Sequence, residues 1–243
     1  MGMNSIFTQK GVKFLAFLFL ATAHFVLASQ IVEVEYVDTR EAVLTEQQKQ
    51  SLDKLPAETQ QQVLQIFEDA KNAKRIYVLR HSSGRSVYRF SHLEDAGNMQ
   101  SNGLDYYKDL SSGRAVMIGS NMLPDEQVEF GLLSATDWEL CAEDTLWIAG
   151  YMCLKAVCEK EGLTVWYAPE LTLSDGPERY SGLPGLILMA VFEGREKKKI
   201  VARKVVVKSG SENIVLPDRP KKLSLEAYRQ SMSASLGTGS KQK

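Results

Sequence analysis

The chain has 243 residues, with 29 Lys and Arg against 30 Asp and Glu, and 44 % of it is hydrophobic. That is apolar mass enough for one core of ordinary size. No basic field is large enough to hold a phosphate backbone, so nucleic acid is not an expected partner.

The first segment reads as an address. Lys10 and Lys13 precede an apolar run over 14–20 that continues weakly to Leu27, and Val26, Leu27 and Ala28 form a signal-peptidase site with the cut after Ala28. The run carries Thr22 and His24 and falls short of the roughly 20 apolar residues that span a bilayer. Removal of 1–28 takes away two lysines and no acid, leaving a net charge of about −3. No Cys follows the cut to carry a lipid anchor. The expectation is a periplasmic or secreted protein with no transmembrane segment after cleavage. A single β-rich domain over 29–208 should follow, with a helical insertion at about 44–72. After it, 209–243 should hold a linker, a short helix and a disordered tail.

Residues 31–37 alternate, with Val32, Val34 and Tyr36 on one face and Glu33 and Glu35 on the other, the pattern of a half-buried strand. Thr45 and Gln48 have capping-box spacing, and Pro56 starts a second helix with Val63, Leu64, Phe67 and Ala70 on one face. Strands over 76–81 and 86–92 flank Ser83-Gly84. Pairing Ser82 with Arg85 sets Leu79 opposite Tyr88 and Tyr77 opposite Phe90. The same register holds His81 and His92 roughly 20 Å apart, too far to share a metal ion. Each reads as a surface or pairing residue, and no metal and no cofactor is expected. Residues 94–105 read as a long loop, followed by a short strand near 115–118 and a turn at Pro124-Asp125.

A second hairpin, 151–158 with 163–168, sets Cys158 opposite Leu163, Ala156 opposite Val165 and Leu154 opposite Tyr167 on its core side. On the other side Lys155 faces Trp166 in cation-π geometry. Cys153 and Cys158 lie too far apart on one extended strand to be bridged, so any disulfide must use Cys141. The remaining cysteines read as small buried hydrophobes.

The next stretch organises the chain. Two apolar runs, 163–168 and 186–192, are held apart by a loop dense in Pro and Gly. The second run is apolar on both faces, as in a central strand. Within the loop, Leu183-Pro184-Gly185-Leu186 fits a type II turn, with Gly185 at the left-handed position. Glu170, Asp175 and Glu178 are carboxylates in a turn-rich segment and are expected to face water. A more exposed strand over 200–207 follows. Residues 218–222 read as a Pro-broken linker, and Ser224 caps a short helix with Leu223 and Tyr228 as its staple.

Trp138, the IAGYMCLKA string at 148–156, WYAPE at 166–170, Gly176-Pro177 and GLPGLI at 182–187 occur in one order. In that order they resemble the GLPGLI family of secreted bacterial proteins, chiefly from Bacteroidota. Leu146-Trp147, Glu178 and Met189 depart from the usual pattern of that family. The resemblance implies secretion and no settled activity.

The element order predicts an α+β protein, mainly an antiparallel curved sheet built from hairpins with a few helices on one face. By analogy it is like the half-barrel of lipoprotein carriers. The function read from it is a non-catalytic envelope module that carries an amphiphilic or peptide-like ligand in an apolar cavity lined by Tyr77, Tyr88, Phe90 and Leu188. The signature loop would form the rim. Ligand-binding candidates are Trp166, Tyr167, Lys155, Leu183, Pro184 and Asp175, and no residue is assigned a catalytic role. The alternatives are a secreted hydrolase using the loop carboxylates, and a structural module whose apolar edge pairs with another envelope protein.

Overall fold

The structure, a computed structural model, describes residues 30–41, 44–97, 100, 103–119, 122–193 and 197–237. The leader assigned to 1–28 and the last residues of the tail lie outside them. In chain order the elements are β1 (Gln30–Arg40), α1 (Glu46–Leu52), α2 (Ala57–Asn72), β2 (Lys74–Ser82), β3 (Arg85–Glu94), β4 (Leu104–Asp109), β5 (Arg114–Gly119), β6 (Glu126–Gly131), β7 (Glu139–Ile148), β8 (Tyr151–Cys158), β9 (Leu163–Ala168), β10 (Leu186–Glu193), β11 (Lys197–Ser209), β12 (Lys221–Ser224) and α3 (Leu225–Gly237).

All twelve strands form one open, curved, mostly antiparallel sheet in the order β12-β6-β5-β4-β3-β2-β1-β11-β10-β9-β8-β7. Two meanders, β1 to β6 and β7 to β11, are joined where β1 pairs with β11. The connection between the meanders explains the curvature. In a flat sheet β6 and β7 would lie about 48 Å apart across ten strand spacings. The strap between them, residues 132–138, reaches about 29 Å at most when fully extended. The sheet must therefore curl to bring its two ends toward each other.

The two faces differ as the alternation in β1 predicts. On the outer face Glu33 and Glu35 meet Arg80 and Arg203 from neighbouring strands, and Arg203 also takes Glu94 through two nitrogens at 2.9 Å. On the inner face Tyr77 stacks on Tyr88 with centroids 4.6 Å apart. Tyr36, Phe90, Tyr106 and Phe130 extend the row by edge-on and tilted contacts. Both hairpin registers are those expected. Leu79 opposes Tyr88 and Tyr77 opposes Phe90 around a turn whose Ser83 and Gly84 both have positive φ. Lys155 opposes Trp166, and Leu154 opposes Tyr167.

What fills the concave face is the loop 169–185. Asp175, Tyr180, Ser181 and Leu183 are buried within it. Its link to the strap is polar: Trp138 Nε1 donates to Ser181 O at 2.8 Å, and Ser181 Oγ donates to Leu133 O at 3.0 Å. Tyr36 Oη donates to Ile187 O at 2.6 Å, tying β1 to the start of β10. The loop is thus an interior plug and not a rim. Tyr88 and Leu188 are fully buried and Tyr77 nearly so, and none of the four cavities described below is lined by them or by Phe90.

The helices sit at the margin. The capping box of Thr45 and Gln48 forms as expected, but neither α1 nor α2 has a buried residue. Val63 and Phe67 turn toward Leu44, Leu52 and Leu55 of the preceding segment around a cavity of about 490 Å3. α3 closes a second small core, in which Leu225 and Tyr228 pack with Leu223 on Met117, Met122 and Val128. Three strands, β4, β6 and β7, arise where the sequence suggested loop or nothing, and β12 begins inside the expected 218–222 linker and runs to the helix cap, pairing in parallel with β6.

The turn expected at 183–186 does not form as a type II turn, because the left-handed glycine is Gly182, with φ 93°. A Cβ there would also lie 2.7 Å from the Ser134 carbonyl carbon in the strap. Gly185 is required for a different reason: a Cβ would lie 2.4 Å from Ala168 O. All three cysteines are free. Cys153 and Cys158 are buried, and burial pushes the Cys153 thiol up to about 11.

Candidate functional site

The loop carboxylates do not share the solvated fate expected of turn acids. Glu170 is exposed, whereas Asp175 is completely buried and the Glu178 side chain is only 14 % exposed. Cross-strand register explains Asp175. His81, Ser86 and Lys108 oppose one another in a row across β2, β3 and β4 on the inner face, and the loop lowers Asp175 onto that row. Lys108 Nζ lies 2.5 Å from Asp175 Oδ1 and donates to Gly176 O. His81 Nδ1 lies 2.9 Å from Asp175 Oδ2, and Gly176 N donates to Oδ1 at 2.8 Å. Burial alone would raise the carboxyl pKa. The Lys108 charge and the His81 hydrogen bond outweigh it and hold Asp175 well below the usual carboxylate range. Lys108 pays for its burial with a lowered pKa. This cluster is a staple fixing the loop to β2 and β4, while Ser86 Oγ of β3 between them has no hydrogen-bond partner among the described residues. It opens at His81 on a cavity of about 310 Å3 lined also by Ser83, Glu170, Thr172 and Leu173.

Three residues further on, Glu178 is held differently. Its backbone is left-handed, with φ 49°, and its carboxylate meets Lys198 Nζ. The same ammonium lies 3.7 Å from Asp38 Oδ2, and Arg40 lies 3.3 Å from that oxygen. Arg179 pairs with Glu161 beside it. Burial works against ionised Glu178, but Lys198, Arg40 and Arg179 keep its pKa lowered. Among the described residues the buried Asp38 Oδ1 has no hydrogen-bond partner, and neither do the buried Arg40 Nε, Tyr88 Oη and, in the Asp175 row, Ser86 Oγ. Buried polar atoms left without a protein partner in this way are unusual.

Arg40 and Lys198 lead from this network to a cleft of about 670 Å3. It is lined by Thr39, Arg40, Glu41, Lys71, Asn72, Val191, Phe192, Lys197, Lys198 and Lys199. Among the described residues, five cationic side chains face one carboxylate there. Lys197 takes Glu41 at 3.5 Å, and Lys199 has no carboxylate within ion-pair distance among the described residues. Val191 and Phe192, the end of β10, supply an apolar wall.

The residues singled out from the sequence are not gathered at one place. Asp175 is in the staple, Leu183 is buried, Pro184 is exposed and Tyr167 packs in the core. Lys155 reaches Asp144 at 2.9 Å, and Trp166 is half-buried beside a cavity of about 480 Å3 with Glu143, Asp144, Thr145 and Leu146. His81, Lys108, Asp38, Arg40 and Lys198 were missed as site residues. Period-two register would have flagged Lys108, an inward-facing charge two residues after Tyr106. Nothing in the sequence brings Asp38 to Lys198, 160 residues away. Among the described residues no group of three or more His, Cys, Asp or Glu is placed to hold a metal ion. Among the same residues no helix is long and apolar enough to cross a membrane.

Residues 155–189 match a family described as protein of unknown function (Porph_ging), typical of Bacteroidota. That match runs from the middle of β8 to the middle of β10, and it leaves the GLPGLI name as a resemblance. No curated protein matches the chain. Among solved structures the chain is similar to PNGF-II in a P21 crystal form, at 17 % identity and TM-score 0.51, covering 85 % of this chain and 34 % of that one. The C2 form aligns at 15 % identity and TM-score 0.48, covering 85 % and 33 %. The chain thus spans about a third of the length of the solved structures it matches, and the P21 likeness carries the curved β-rich fold alone.

Proposed function

We propose that this chain is a non-catalytic envelope module that binds an anionic amphiphile in the cleft at the ends of β1, β10 and β11. The observation that carries the reading is the lining of that cleft: among the described residues, five cations against one carboxylate, beside an apolar wall of Val191 and Phe192. A carboxylate or phosphate head would meet Lys197 and Lys199, with its hydrocarbon along Phe192. The unpaired polar atoms of Asp38 and Arg40 lie behind it. The ligand sits outside the sheet in this reading, because the loop already fills the inner face. Hydrolysis by the loop carboxylates is less well supported, since a general acid needs a raised pKa and both Asp175 and Glu178 are lowered.

The test is calorimetric titration of the mature chain with dodecyl phosphate and, separately, with dodecyltrimethylammonium. Dodecyl phosphate should bind, with affinity falling as salt rises and dropping at least tenfold in Lys197→Glu/Lys199→Glu. Equal binding of the cationic amphiphile, or indifference to the double substitution, would sink the proposal.

A further inference from the structure

β7 ends the sheet. Among the described residues it pairs with β8 alone, so one of its backbone edges is open. Proteins usually blunt such an edge with Lys or Pro, or cover it. The ten residues of β7 include no Lys, Arg or Pro. They present Leu140, Leu146 and Trp147 to solvent instead, with Trp147 72 % exposed and the exposed Met152 directly opposite it on β8. Leu146 and Trp147 are consecutive and so point to opposite faces of the sheet. The edge is therefore apolar above and below its open hydrogen-bonding groups.

Charge decides what fits there. The register of β7 breaks between Cys141 and Thr145, and the bulge carries Glu143 and Asp144. Asp144 is taken by Lys155, while Glu139 and Glu143 have no ion-pair partner among the described residues. Glu143 lines the cavity of about 480 Å3 that Trp166 also lines. A carboxylate beside an aromatic ring is a receptor for a Lys or Arg side chain. A second copy of β7 laid antiparallel on the first would bring acid against acid.

We propose that the open edge of β7 takes up an extended segment of a partner protein as a further strand, one in which apolar residues alternate with Lys or Arg. Main-chain hydrogen bonds supply the pairing. Leu140, Trp147 and Met152 receive the apolar side chains, and the bulge receives a cationic one. This site is separate from the basic cleft, so either proposal can fail alone.

The experiment uses the mature chain with two blocked nine-residue peptides, one of alternating Lys and Val and one of alternating Glu and Val. Binding is read by tryptophan fluorescence and by hydrogen exchange of the amides of 139–148. The Lys-Val peptide should bind and protect β7, and the Glu-Val peptide should not. Glu143→Lys should reverse that preference, and Trp147→Lys should weaken binding at least tenfold. Both positions are exposed, so an unchanged melting temperature verifies that the fold is intact. Absence of β7 protection by the Lys-Val peptide, or protection that survives Trp147→Lys, would overturn the proposal. Concentration-dependent protection of β7 without peptide would overturn it too, by assigning the edge to a second copy.

Discussion

Asp175 and Glu178 sit three residues apart on one loop, and each is an ionised carboxylate held by a lysine from the sheet. Their surroundings differ in one respect. Around Asp175 the lysine is sealed and each carboxylate oxygen has its partner. Around Glu178 the lysine is 16 % exposed, the neighbouring Asp38 and Arg40 carry unpaired atoms, and the network leads into a basic cleft. A closed charge cluster spends its interactions on the fold. An open one retains capacity for a ligand. Ion pairs alone do not tell the two apart, and neither do unpaired atoms, since Ser86 Oγ beside Asp175 is unpaired as well; the exposure of the lysine and the cleft beside it do.

The comparison breaks most sharply at the two lysines. Lys108→Ala leaves Asp175 buried without a counter-charge and should cost about 3–5 kcal/mol in urea unfolding. Lys198→Ala should cost about 1 kcal/mol or less, since its cluster keeps Arg40 and Arg179 near Glu178 and is partly solvated. Equal costs would show that the staple is not special.

Acid reaches the same staple without a substitution. Burial favours protonation of Asp175, but Lys108 and His81 outweigh it, so the folded pKa lies below the unfolded value of about 3.9. The stability from Asp175 is therefore fully present above that value and is lost as pH falls through the depressed folded pKa. Unfolding free energy followed from pH 6 to pH 2 should fall most steeply below about pH 4 in the native chain, and more shallowly in Asp175→Asn. Parallel curves would remove Asp175 as the titrating group.

A smaller effect separates space from backbone conformation. Gly84 has φ 75° in open surroundings, so Gly84→Ala should cost about 1 kcal/mol. Gly182→Ala adds a clash with the strap to the same kind of strain and should cost about 2–3 kcal/mol. Thermal melting of the two variants checks the order.

Much of this architecture was legible in the residues. The alternation of β1, the registers of the β2–β3 and β8–β9 hairpins, the capping box at Thr45 and the helix after Ser224 follow from period, turn chemistry and side-chain hydrogen bonds within a few residues. β12 was less legible because it is short and borrows its pairing from the distant β6, whereas β4 and β6 pair with chain neighbours and were hidden by their short, polar sequences. The turn residues Ser83 and Gly84 needed no tertiary contact to be read, whereas Gly185 did, because its lack of a side chain serves Ala168 O and not its own dihedral angles.

By itself the sequence determined the hairpins, the likeness at the signature stretch and the absence of a large basic field, since these depend on neighbours in the chain or on composition. Only the tertiary structure decided that the loop is a plug. A seven-residue strap must join the two ends of the sheet, and the curl it imposes creates the hollow that the loop fills. That folding back sets Asp175 on Lys108 and Glu178 on Lys198, contacts made across 67 and 20 residues of chain that local pattern does not encode.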